Sequence, residues 1–67
     1  MTYKEYISQF QNDDSPAGDI ARDIMEDLEF PQTNDYEELN YYLSIEQCAC
    51  DSFMSVFERT FNEFKSL

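Results

Sequence analysis

The sequence predicts an all-α domain, a compact bundle of four short helices. Three observations carry that expectation. Aromatic and aliphatic residues recur at i, i+3, i+4 and i+7, with no alternating stretch that reads as a strand. Residues that cap helices stand at the head of the periodic segments. Six Phe and five Tyr within 67 residues supply the large buried area per side chain that so small a core requires.

The first helix runs from Thr2 to about Gln11. Thr2 and Glu5 have capping-box spacing, and Tyr3, Tyr6, Ile7 and Phe10 form one face. Asn12, Asp13 and Asp14 interrupt the pattern. Ser15 is a suitable N-cap, with Pro16 at the first helical position, where its missing N–H costs nothing. The second helix spans Pro16 to Leu28, with Ala17, Ile20, Ala21, Ile24 and Leu28 facing inward. Gly18, the only glycine, weakens its first turn slightly. Phe30-Pro31 closes this unit, because a residue before proline avoids the helical region, and Phe30 folds back as a core plug. Asn34 heads the third helix, with Glu37 at the capping-box position and Tyr36, Leu39, Tyr42 and Leu43 on its apolar face. The last helix has two possible starts. Ser44 caps a helix from Ile45, or Asp51 or Ser52 begins it after a separate turn over 45–50. From Phe53 onward, Phe53, Val56, Phe57, Thr60, Phe61 and Phe64 line one side.

The chain is sized for a single domain spanning residues 1–67. Fifteen carboxylates against four cations give a net charge of −11. Nucleic-acid binding relies on Lys and Arg at phosphates, so this balance disfavours it, and it disfavours an anionic membrane surface equally. A basic protein partner, or a surface kept soluble by repulsion, fits better. The N-terminal segment lacks the basic and apolar stretches of a secretory signal, and no apolar run approaches the roughly 18 residues a membrane span needs. A cytoplasmic protein, monomeric or weakly oligomeric, is the expectation. Cys48 and Cys50 are the only cysteines. Two residues apart on a helix they point in different directions, so no disulfide framework is implied. With no His, structural zinc lacks ligands.

The order of these residues resembles the YozE family of small bacterial domains with a sterile-alpha-motif-like (SAM-like) fold. The resemblance covers nearly the whole chain. Tyr3, Tyr6 and Phe10 match the family's aromatic opening helix. Ala21, Asp27, Phe30 and Pro31 match a helix that ends in an acid followed by Phe-Pro. Tyr36, Tyr42 and Leu43 match a Tyr-rich helix ending in Tyr-Leu, and Phe57, Phe61 and Phe64 match the aromatic close. The family commonly carries Trp where this chain has Phe61, and the Cys48–Cys50 stretch has no counterpart. The resemblance implies a four-helix SAM-like shape and no functional site, since the matched residues are mostly core. SAM-like folds elsewhere bind proteins and sometimes RNA, and relatives of the fold bind DNA, which makes direct nucleic-acid binding a reading by analogy alone.

The most distinctive outward feature is an acid row on the second helix. Asp19, Asp23 and Asp27 stand at i, i+4 and i+8, stacked about 6 Å apart along the axis. Glu26 and Glu29 widen the stripe, and Arg22 offsets part of it. A row at that pitch resembles a phosphate backbone, as in small acidic phage proteins that mimic nucleic acid. The plain alternative is a solvated helix face. Asp13, Asp14 and Asp19 lack the ligand rhythm of a calcium loop. Cys48 and Cys50 read as buried or half-buried free thiols. No Ser or Cys has a base partner at recognisable spacing, and paired-acid catalysis needs a sheltered cleft, so neither an enzyme nor any cofactor is expected. Tyr41 and Tyr3 are candidates for exposed interface anchors.

The function expected from sequence is a non-catalytic protein-interaction module, with Asp19, Asp23, Glu26 and Asp27 as its partner-binding face. Nucleic-acid mimicry, inhibiting a DNA- or RNA-binding protein, is the alternative. Uncompensated charge destabilises a compact state, and salt screens it. The melting temperature, followed by circular dichroism, therefore rises from low to moderate salt; a flat midpoint would count against a crowded acid surface.

Overall fold

The chain begins on a capping box that closes as its spacing predicts. In a computed structural model describing residues 1–67, the Glu5 amide donates to Thr2 Oγ1 at 3.2 Å and the Thr2 amide donates to Glu5 Oε1 at 3.0 Å. That second bond holds the Glu5 carboxyl below its usual value. Helix α1 spans Tyr3–Ser8, shorter than the spacing predicts. Ser8 Oγ occupies the Glu5 carbonyl at 2.6 Å and Gln9 Nε2 occupies the Tyr6 carbonyl at 2.9 Å. These acceptors otherwise serve helix amides, so the chain tightens instead into i→i−3 turns through Asp13.

Helix α2 spans Pro16–Glu26, with Ser15 Oγ accepting from the Gly18 amide at 3.1 Å. It stops short of Leu28. Asp27 turns to extended backbone, and its Oδ1 accepts the Glu29 amide at 3.0 Å. Leu28 is therefore turned out to solvent, 92% exposed, although periodicity predicts an inward side chain. Phe30 takes the core position, as expected.

Helix α3, Tyr36–Tyr41, is capped by Asp35 and not by Asn34. Asp35 Oδ1 accepts from the Glu37 amide at 3.2 Å. Asn34 is engaged elsewhere: its Oδ1 accepts the Tyr3 amide at 2.9 Å and its Nδ2 donates to the Met1 carbonyl at 2.9 Å. It thus satisfies an amide of α1's first turn from across the fold. The chain continues from α3 into a π-helical segment, Tyr42–Glu46, closed by the Gln47 amide on the Tyr42 carbonyl at 2.9 Å. Ser44 caps nothing; its hydroxyl back-bonds to the Asn40 carbonyl at 2.6 Å. Cys48, at φ 52, reverses the chain in the left-handed region, and helix α4 runs Asp51–Lys65 from an N-cap at Cys50. The later of the two possible starts is the one adopted.

All-α architecture with four helices and no strand is what the sequence predicts. The core is a single cluster, entered from α1 by Tyr3. Its ring packs against Phe57, Phe61 and Phe64 of α4 at centroid distances of 5.4, 5.5 and 6.1 Å. Tyr3 is fully buried, which removes it as an exposed anchor; Tyr41, 57% exposed, remains one. The Tyr3 hydroxyl lies 2.8 Å from Thr60 Oγ1. Thr60 Oγ1 also reaches the Val56 carbonyl at 2.8 Å and the Phe57 carbonyl at 3.1 Å, so the two buried hydroxyls are both satisfied within the core. Tyr36 stacks on Phe57 at 5.7 Å and 14°, tying α3 to the same cluster.

Gly18 has a structural role that helix propensity misses. It is buried against the turn after α1, and a Cβ there would lie 2.0 Å from the Asp13 carbonyl oxygen. That neighbour is backbone and cannot swing aside. Gly18→Ala is therefore expected to destabilise by about 1–3 kcal/mol, opposite in sign to the gain of about 1 kcal/mol that propensity alone gives. The shift in urea midpoint checks the sign.

Candidate functional site

The early stop of α2 decides what its acid row becomes. Asp19 is exposed and forms the chain's one ion pair, with Arg22. Arg22 also donates to the Gln11 carbonyl at 2.9 Å and the Asp13 carbonyl at 3.1 Å, so its guanidinium is drawn toward the loop before α2. An exposed pair of this kind contributes little to stability. Asp27 lies past the last helical turn, with its carboxylate held at both oxygens. Oδ1 accepts the Glu29 amide, and Oδ2 accepts the Tyr42 hydroxyl from the π-helical segment. The evenly pitched row predicted from i, i+4, i+8 spacing is thus not one continuous solvated stripe.

Three of the four predicted acids do converge. Asp23, Glu26 and Asp27 line one groove of about 340 Å³ between the C-terminal half of α2 and the segment that leads into α4. Its floor is apolar: Ile24, Phe30, Leu43, Ala49 and Phe53. Gln47 completes the wall, and its Nε2 donates to the Tyr42 hydroxyl at 3.1 Å. Asp19 is outside this groove. A second hollow, broader and shallower, lies between α1 and the end of α4 and includes Phe10, Arg59 and Leu67.

Tyr42 couples the groove to the core. Its ring is edge-on to Phe30 at 5.8 Å and is almost wholly buried, while its hydroxyl reaches the rim. The hydrogen bond to the Asp27 carboxylate, with burial and that negative charge adding to it, pushes the Tyr42 hydroxyl up to about 12. Burial pushes the Tyr3 hydroxyl up to about 12 as well, partly offset by its bond to Thr60.

The groove lining holds carboxylates, one amide and apolar side chains, and no His, Ser, Thr, Cys, Lys or Arg. Chemically it can accept hydrogen bonds, hold cationic groups and shelter an apolar side chain. No three acids or thiols stand where they could hold a metal ion together. Cys48 and Cys50 are both exposed free thiols, not the buried or half-buried pair expected, because the left-handed turn at Cys48 carries the segment over the surface. No helix is long and apolar enough to cross a membrane.

Sequence reasoning missed the groove floor. Phe30, Leu43 and Phe53 read as core, and nothing in the pattern distinguishes a core face from one left open at its edge. Ala49, a small residue between two cysteines, is the only local sign that the wall is low there. The family described as YozE SAM-like fold matches residues 2–66 of the chain. No curated protein and no solved structure matches it.

Both raised tyrosines have folded values above the ordinary 10.0, so the folded state resists their ionisation. Their contribution is whole below the unfolded value of about 10 and is lost as pH rises through about 12. Guanidinium melts across that window should show stability falling, and Tyr42→Phe should remove part of the fall.

Proposed function

We propose a function from one established premise: the chain belongs to the YozE SAM-like family. It acts as a non-catalytic protein-interaction module, cytoplasmic, that engages its partner through the acid-rimmed groove beside α2. The observation that carries this reading is the convergence of Asp23, Glu26 and Asp27 around an apolar floor. Protein interfaces combine such a desolvated apolar centre with a polar rim. Leu28, Tyr41 and Ile45, all exposed, add apolar surface on the elements that flank the groove. A net charge of −11 favours a basic partner and speeds encounter with it.

Nucleic-acid mimicry is the second reading. The net charge supports it, and the family's bacterial setting is compatible with an origin in a cell or a phage. The engagement of Asp19 by Arg22 and of Asp27 by Tyr42 counts against a phosphate-like row.

Capture from a lysate of the source organism separates the two. Asp23→Lys with Glu26→Lys should lose the partner, while Asp19→Lys should keep it, and the wild-type interaction should be only moderately weakened by salt. A partner released by duplex DNA, with steep salt dependence and equal sensitivity to Asp19→Lys, would favour the mimic.

A further inference from the structure

We infer that the groove beside α2 takes a segment of a partner protein that offers one large apolar side chain flanked by Lys or Arg. This rests on reading the chain as a protein-binding module and specifies what that module recognises.

Charge complementarity carries the inference, and it follows from where the chain's own cations are. There are four of them. Lys4 Nζ reaches the Asp27 carbonyl, not its carboxylate, at 3.5 Å. Arg22 is held by Asp19 and by the carbonyls of Gln11 and Asp13. Arg59 lines the second hollow, and Lys65 sits over the Phe61 ring at 5.7 Å. None lines the groove, so Asp23 and Glu26 have no cationic partner from their own chain. A docking cation meets no competing positive charge of this chain there.

The floor narrows the occupant further. A small polycation would satisfy the carboxylates and leave Ala49 and Phe53, the half-buried part of the apolar lining, uncovered. An acidic segment would be repelled. A wholly apolar segment would lay uncompensated carboxylates against its edges, which costs free energy when they lose water. An apolar side chain with cations on either side matches both parts. The volume of about 340 Å³ accepts one large side chain with its neighbours and lies at the small end of the usual range of about 300–1,000 Å³. Asp27 is already oriented by Tyr42 and by the Glu29 amide, so one charged acceptor is positioned before binding.

Selection of short random displayed peptides on the full chain tests this. Three variants accompany it: Ala49→Trp to fill the groove, Asp23→Asn with Glu26→Gln to discharge its rim, and Asp13→Asn with Asp14→Asn as a control of equal charge change elsewhere. The expected enrichment is an apolar residue with Lys or Arg close on both sides, lost on the first two variants and kept on the control. The rim variant alters only exposed side chains, so its result stands even where Ala49→Trp fails to fold. Replacing the apolar anchor of a synthesised winner by Ala should weaken binding about tenfold or more. Neutral or acidic motifs, enrichment that survives discharge of the rim, an anchor whose loss changes nothing, displacement of the peptide by spermine as effective as by the peptide itself, or no enrichment at all would each overturn the inference. None of these outcomes alters the lysate result with Asp23→Lys and Glu26→Lys, so failure of the proposed occupant is distinguishable from failure of the module reading.

Discussion

The insertion of Tyr3 into the aromatic face of α4 is the contact on which the rest of the fold depends. Helix α1 has six residues, far below the length at which a helix persists alone. It exists because its N-terminus is fixed at three points. The capping box closes its first turn, Asn34 receives the Tyr3 amide, and the Tyr3 ring reaches Phe57, Phe61 and Phe64 while its hydroxyl pairs with that of Thr60. A buried phenol without that partner would incur a desolvation cost of about 1–3 kcal/mol. Thr60 is the one buried residue of α4 that is not aromatic, and it stands where the hydroxyl arrives. Once α1 is seated, the turn after it forms the surface on which the first turn of α2 packs at Gly18.

Electrostatics then acts within a frame that packing has set. The fold neutralises one carboxylate, Asp19 by Arg22, and its other cations serve a loop carbonyl, an aromatic ring or the second hollow. Repulsion among the remaining acids is tolerated because most of them are exposed to water of high dielectric. In the groove beside α2 such carboxylates border apolar side chains.

The π-helical segment joins the two. One extra residue per turn after Tyr41 lets Tyr42 and Leu43 both turn inward. Leu43 then contributes to the core and to the groove floor, and Tyr42 packs on Phe30 while its hydroxyl holds Asp27. Ile24, Phe30 and Leu43 belong to the core as well as to the groove, so interior packing positions that part of its lining, while Gln47 and Ala49 come from the connection before α4.

Composition, capping spacing and helical periodicity by themselves determined the helix number, the all-α class, the capping of α1 and α2, and most of the interior, because these depend on contacts within a turn or two of the chain. Phe57, Phe61, Phe64 and Phe30 are legible for that reason, and so is the exposure of Asp23 and Glu26. The tertiary structure alone decided what required partners distant in sequence or competition between local options. Asn34 abandons the cap position because the Tyr3 amide, far away along the chain, is a better partner in the folded state. Leu28 faces water because the Asp27 side chain takes the Glu29 amide and ends α2 first. Gly18 is required because a loop carbonyl approaches it. The groove itself has no periodic signature: an apolar helix face covered by a neighbour and one left partly open are written with the same residues, and only packing distinguishes them.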